Sequence, residues 1–349
     1  MFTFDEKMNT TESQTWLDFY QVAEEFRDLA PWNWLYDSNI FGVQDPFSGT
    51  IYYCCVMGSG GEVFALGMYP GEEGFQTYLN LAYASEGTQN QALLAVVRQR
   101  LIKVEFVDRE EMRKPELDHL KALGLKYRGS RQWVKAEDYQ PGYFPELISV
   151  EQARIATLVL RQAMVTARRL KEEPELIDRS DDELFLQTSI EHNGTLEWRE
   201  EWREFPEEEL EEVRLPVNHA KAKALKHELE MAEGTLLCSM MYLPAPVIDG
   251  EERPYFPLNT LWIGYSDGVI LGFGLFTPKS LHDTFEDKLY AQFRSLKVIP
   301  GQIVVDSEFA ESILEPFCEA LGIELICDPD VPVFEEVTNM LIDQIENMP

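Results

Sequence analysis

The sequence predicts an α/β protein of the α+β kind, with two mixed-sheet domains carrying helices. Three observations predict it. Helical periods of apolar residues alternate with short β-rich runs along the chain. The 349 residues exceed what a single hydrophobic core usually serves. A local pattern in the first half returns in the second, which suggests an internal duplication.

The first element is a helix over 12–30, where Trp16, Phe19, Tyr20, Ala23 and Phe26 recur at three and four and Pro31 ends the pattern. Strands are expected at 40–45, 50–57 and 62–69. The last two are joined by Gly58-Ser59-Gly60-Gly61, and Pro70-Gly71 stops the third. This glycine run is not a phosphate loop, because a strand rather than a helix N-terminus follows it. A helix over 72–84 comes next, with Glu72 and Glu73 suiting the positive end of its dipole. A β run at 101–107 leads to a helix that ends at Leu123, with Gly124 as its cap. Ser149 and Gln152 then form a capping box for a long helix over 150–171.

Residues 172–212 hold 17 acidic and 3 basic residues, so this stretch carries −14 of the net −32. Two strands, 184–190 and 195–205, flank Asn193-Gly194, a strong hairpin turn signal. The Glu run at 207–212 reads as a solvated loop. We place the domain boundary near 175. That gives an N-terminal α/β domain over 1–175 and a C-terminal α/β domain over 176–349, opened by an acidic hairpin or linker at 176–216. The second half then reads helix 218–231, strands 236–243, 259–265 and 269–277, helix 280–294, strand 303–305, helix 308–321, strand 324–327 and helix 333–346.

The echo lies in Val107-Asp108-Arg109-Glu110 and Val305-Asp306-Ser307-Glu308, each heading a helix that ends Ala-Leu-Gly. Six of 19 aligned positions are identical, few enough that only the fold can decide whether the halves share an ancestor. Asp108 and Asp306 each end a β run before a helix. An N-cap is the plain reading, and a binding or metal role is the sharper one.

The order of elements over 255–346 resembles a ribonuclease H-like fold. Active members of that family hold two divalent metals with carboxylates from the first strand, the first helix, the end of the fourth strand and the last helix. The resemblance makes Asp306, Glu286 and Asp343 the catalytic candidates. The first strand, read as centred on Trp262-Ile263-Gly264-Tyr265, offers no carboxylate before Asp267. In the first half Asp45 and Asp108 hold the equivalent places. Neither set is complete, so the resemblance implies a degenerate member without nuclease activity. The whole chain, through Val56-Met57-Gly58, Gly61-Glu62, Tyr69-x-Gly71-x-Glu73-Gly74 and Arg253-Pro254-Tyr255-Phe256-Pro257, resembles an uncharacterised prokaryotic family that pairs two domains of unknown function.

Other chemistry finds little support. His119, His192, His219, His227 and His282 show no metal-ligand spacing and read as solvated or capping groups. The five cysteines contain no CxxC pair and read as buried thiols; Cys54 and Cys55, adjacent on a strand, point to opposite faces. No GxSxG or GxGxxG occurs. Trp198 and Trp202, four apart on one strand, share a face and form either core or an exposed aromatic ridge. The net charge of −32 argues against phosphate and anionic membrane surfaces. No apolar run spans a bilayer, and the N-terminus lacks a signal-peptide pattern.

We therefore expect an acidic cytoplasmic protein, monomer or homodimer, with no cofactor and no metal. Its expected role is a non-enzymatic module that binds a protein partner, with Trp198, Trp202 and Asp108 as candidate binding residues. The alternatives are a divergent two-metal phosphoesterase or nuclease and a nucleic-acid mimic.

Overall fold

The computed structural model describes residues 10–84, 87–177, 183–192, 195–206, 213–249 and 253–346. In chain order these residues form α1 (Thr10–Leu29), β1 (Phe41–Gln44), β2 (Ile51–Met57), β3 (Ala65–Pro70), α2 (Gly71–Tyr83), α3 (Gln89–Val97), β4 (Leu101–Val107), α4 (Lys114–Ala122), β5 (Trp133–Tyr139), β6 (Glu146–Leu147), α5 (Val150–Glu172), β7 (Glu183–His192) and β8 (Thr195–Glu204). There follow α6 (His219–Glu228), β9 (Met231–Tyr242), β10 (Leu258–Gly264), β11 (Ile270–Phe276), α7 (Pro278–Leu296), β12 (Ile299–Val305), α8 (Glu308–Leu321), β13 (Glu324–Cys327) and α9 (Pro332–Glu346). The α+β class with two mixed sheets is as expected.

Two compact units divide the chain: Met1–Tyr78, Arg100–Gln140 and Pro145–Glu208 make the first, and Leu79–Gln99, Pro141–Phe144 and Glu209–Pro349 the second. In the first, the sheet runs β6-β5-β4-β3-β2-β1-β7-β8. α1 packs along α5, burying Trp16, Phe19, Tyr20, Ala23 and Phe26 on one side and Ala153, Ala156, Leu160, Ala163 and Ala167 on the other. The alanine stripe lets the two helices approach closely. The Ser149–Gln152 capping box forms as expected: Gln152 N–H donates to Ser149 Oγ (3.2 Å), and Ser149 N–H donates to Gln152 Oε1 (2.8 Å).

The acidic hairpin, expected to open the second domain, lies in the first sheet instead. β7 pairs parallel to β1, with Gly42 opposite Leu186 and Val43 opposite Gln187. Burial explains the allegiance: Leu184, Phe185 and Leu186 are all buried, and Phe185 joins the core under α5. The Asn193-Gly194 turn and the 207–212 Glu run lie outside the described residues.

The second sheet runs β11-β10-β9-β12-β13. β9 is central. It pairs antiparallel to β10 and parallel to β12, while β12 pairs parallel to β13 and β10 antiparallel to β11. The strand read from sequence as first in this order, 259–265, is therefore second, because β9 precedes it and holds the centre. One face packs α6, α7 and α8 through Leu225, Phe285, Phe293, Ile313 and Phe317, joined by Leu94 and Val97 of α3. On the other face Phe334 and Val337 of α9 cover Leu237, Leu261, Ile263 and Val304.

The internal echo does not extend to strand pairing. β4 runs antiparallel to both neighbours, whereas β12 runs parallel to both of its own. The two helices begin in similar sequence but follow strands of different sheet context.

Gly42 is where the hairpin meets β1. A Cβ there would lie 2.1 Å from Leu186 Cδ2 and 3.0 Å from Ile51 Cγ2. Gly42→Ala is expected to cost about 1–3 kcal/mol through overpacking. Chemical denaturation checks it, and an unchanged midpoint would show that β1 and β7 do not pack this tightly.

Candidate functional site

The polar feature that stands out is Asp306, at the end of β12. It is 3% exposed. Ser239 Oγ donates to its Oδ2 at 2.6 Å and Asn90 Nδ2 donates to the same oxygen at 2.9 Å. Met240 N–H (3.3 Å) and Ser307 Oγ (3.2 Å) donate to Oδ1. β9 presents Ser239, and α3 brings Asn90, whose Nδ2 also donates to Met240 O at 3.0 Å. Burial pushes the Asp306 carboxyl up to about 6, against the opposing pull of the Ser239, Met240 and Ser307 donors. The N-cap of α8 is Ser307 rather than Asp306: Ala310 N–H donates to Ser307 Oγ at 3.3 Å.

The other carboxylates proposed with Asp306 point elsewhere or are not described. Glu286 accepts from Asn218 N–H at 2.8 Å and pairs with Lys221 at 3.5 Å. It faces a cleft of about 510 Å³ whose lining includes His219, His282 and Asp287. Lys221 neutralises this cleft further by bonding Asp287 at 2.6 Å. Asp343 falls on α9, but its side chain lies outside the described residues. Among the described residues, no three His, Cys, Asp or Glu are placed to hold a metal ion.

Asp108 has a different surrounding from its echo. It is half-buried, and its carboxylate turns away from the following helical turn: it accepts from Arg131 N–H at 2.6 Å and Ser130 Oγ at 3.3 Å. The Arg131 N–H bond holds this carboxyl below the ordinary range. Arg131 adopts φ +56°, so Asp108 pins a left-handed backbone turn. The cap seat is served in reverse, Asp108 N–H donating to Glu111 Oε2 at 2.8 Å. Asp45 is buried and organises the β1–β2 turn by accepting from Ser48 Oγ at 2.6 Å.

Trp198 and Trp202 are half-buried against the first core. Trp202 meets Phe185 edge-on at 5.3 Å, and its Nε1 donates to Leu176 O at 3.4 Å. The cysteines are unpaired thiols. Burial pushes Cys55, Cys318 and Cys327 up to about 12, which keeps them neutral.

Residues 16–188 match a family model described as a domain of unknown function (DUF7309), and residues 221–342 match another described as a domain of unknown function (DUF6930). The chain pairs two uncharacterised domains. This is the arrangement implied by the whole-chain resemblance. No curated protein matches the chain. The first match runs past 175 into β7, as the sheet pairing does. It also includes α3, so a side chain from within the DUF7309 match bonds the acid of the DUF6930 segment. Among the described residues, no helix is long and apolar enough to cross a membrane.

Sequence reasoning missed Asn90, Ser239 and the burial of His119. Thr88 and Gln91 were the available signal for α3, since they form a capping box. His119, expected at the surface, is 2% exposed and sits 4.3 Å from the Trp16 ring. Neither ring nitrogen has a hydrogen-bond partner, and burial lowers its pKa to about 4.

These two buried groups act oppositely with pH. His119 is lowered from 6.5 to about 4, so its share of stability is complete above 6.5 and lost as pH falls toward 4. Asp306 is raised from 3.8 to about 6, so its share is complete below 3.8 and lost as pH rises through 6. Each share is of order 3 kcal/mol. Between pH 6.5 and 4 the first unit is expected to weaken relative to the second. Amide exchange followed unit by unit measures this, and a uniform response would contradict it.

Proposed function

We propose that the chain is a non-enzymatic protein-binding module of the cytoplasm, and that its second unit is a ribonuclease H-like scaffold with a closed acidic centre. Taken from β9, the strand order is third-second-first-fourth-fifth with only the second antiparallel, and helices follow the third, fourth and fifth strands. This order is similar to the ribonuclease H-like plan and supports the reading, and the likeness speaks to fold before function. In active members the first strand supplies a carboxylate that faces the acid at the end of the fourth. Here β9 supplies the Ser239 hydroxyl, which donates to Asp306.

The observation that carries the reading is the enclosure of Asp306. Four protein donors meet its two oxygens, and α3 is held over the strand ends through Asn90. A two-metal centre needs open carboxylate oxygens and room for a substrate oxygen between ions roughly 3.5–4 Å apart. Glu286, engaged by Asn218 and Lys221, shares no hydrogen-bond partner with Asp306. The five unpaired thiols suit a reducing compartment.

Calorimetric titration with Mg²⁺ and Mn²⁺ tests the closed centre. Wild type and Asp306→Asn are expected to give the same absence of saturable binding, with no turnover of a phosphodiester substrate. Saturable Mn²⁺ binding that Asp306→Asn abolishes would restore the two-metal phosphoesterase reading. Affinity capture with the full chain tests the binding role, for which a specific, stoichiometric protein partner is the expected result.

A further inference from the structure

β11 is an edge strand of the second sheet, and its two faces differ. One face lies under α7: a Cβ at Gly272 would meet Gln292 Oε1 at 2.2 Å. The other face carries Phe273 and Leu275, 73% and 47% exposed, and past a bulge at Leu271 (40% exposed) it continues in Ile270, which lies opposite Ile263 and is 43% exposed. Leu261, directly across the ladder from Phe273, is buried under α9. The cover given by α9 thus reaches β10 and stops before β11. Two of the strand's carbonyls are already engaged, since Lys288 Nζ donates to Leu275 O (2.7 Å) and Gln292 Nε2 donates to Leu271 O (3.2 Å). Those bonds oppose addition of another strand at the edge. What stays open is the apolar face.

We infer that this face is a homodimer interface, where two copies set Ile270, Phe273 and Leu275 against each other about a twofold axis crossing the strands. Charge selects the occupant. Two copies of a −32 chain repel over most of their surface, yet no charged residue lies between Gly268 and Pro278. The charges that bracket this stretch have opposite sign, Asp267 at one end and Lys279 at the other. With the axis across the strands, Asp267 of one copy approaches Lys279 of the other; with the axis along them, like charges would meet. An isologous interface needs this self-complementarity. Together with the exposed Tyr265, these β11 residues offer on the order of 500 Å² of apolar surface, in the upper part of the range for patches on monomers. This is more than half of the roughly 800 Å² per partner of a standard interface. The inference goes beyond the closed acidic centre and does not rest on it, so the metal titration and the experiment below fail independently.

Sedimentation velocity on the full chain, up to about 100 μM, tests it. Wild type is expected to approach twice its 40.3 kDa mass. Added salt is expected to strengthen the dimer, because it screens the repulsion between copies. Phe273→Asp should weaken association roughly 30-fold or more without moving the melting temperature, since the ring is mostly exposed in one copy. Leu275→Asn gives the same readout should Phe273→Asp fold poorly, and Tyr36→Asp, an exposed aromatic in the first unit, should leave the dimer intact. A wild type that stays monomeric at the highest concentration overturns the inference. So does a dimer that survives both β11 substitutions in folded protein. A monomer that uses Phe273 to hold a different protein would likewise exclude the second copy.

Discussion

The second unit is organised around one carboxylate that is buried and fully met. Taking a carboxylate out of water is costly unless hydrogen bonds replace its hydration. Asp306 gets them from β9, from its own successor Ser307 and from α3, whose residues lie some two hundred positions earlier in the chain. Asn90 bonds both Asp306 and the Met240 carbonyl, so one amide fixes α3 to a strand and to a strand end at once. Leu94 and Val97 then carry α3 into the apolar core on the same docking. The chemistry that makes Asp306 conspicuous in the sequence is thus spent on holding the unit together.

Asp108 and Asp306 show how far a local pattern reaches. Both follow a β run, both precede a helical turn, and the surrounding residues match well enough to register as an echo. Their physical states are opposite. Asp108 lies half-buried near the surface and is held low by backbone and hydroxyl donors on a loop more than twenty residues away. Asp306 is sealed and pushed up by burial. The difference comes from strand neighbours: β4 sits between antiparallel partners, whereas β12 sits between parallel ones, where the ends of β9 and β12 fall together and α3 can cap both. Strand direction is a tertiary property, and a nineteen-residue window does not contain it.

Much of the architecture was legible because periodicity and caps are local. α1, α5, α7, α8 and α9 followed from apolar spacing and from boundary residues such as Ser149, Pro278 and Gly322. Non-local facts were not legible. β7 could not be assigned to β1 from sequence, since parallel pairing leaves no turn to announce it. That β9 rather than β10 opens the second sheet was obscured, because the first half of β9, Met231–Thr235, lacks the apolar run of its second half. His119 was misplaced because its environment is made by Trp16 and Tyr20 of α1, about a hundred residues away. Of the candidate site, the identity of Asp306 was readable, while its partners and its enclosure were not.

The treatment of strand edges completes the argument. A sheet edge exposes main-chain groups that invite pairing, and chains blunt them with charge, brevity or cover. In the first sheet β8 is studded with Glu and Arg, and the opposite edge, β6, is two residues long. In the second, β13 is four residues long and begins with Glu324. β11 uses a different device: Lys288 and Gln292 reach from α7 to cap two of its carbonyls, while its outward side chains remain apolar. A strand defended only along its backbone direction is protected against uncontrolled sheet extension yet open to association through its face. In a chain this acidic, the longest charge-free surface strand is also where a second acidic surface meets the least repulsion. On the proposed dimer, the excess of carboxylates elsewhere directs contact between copies to the uncharged face of β11.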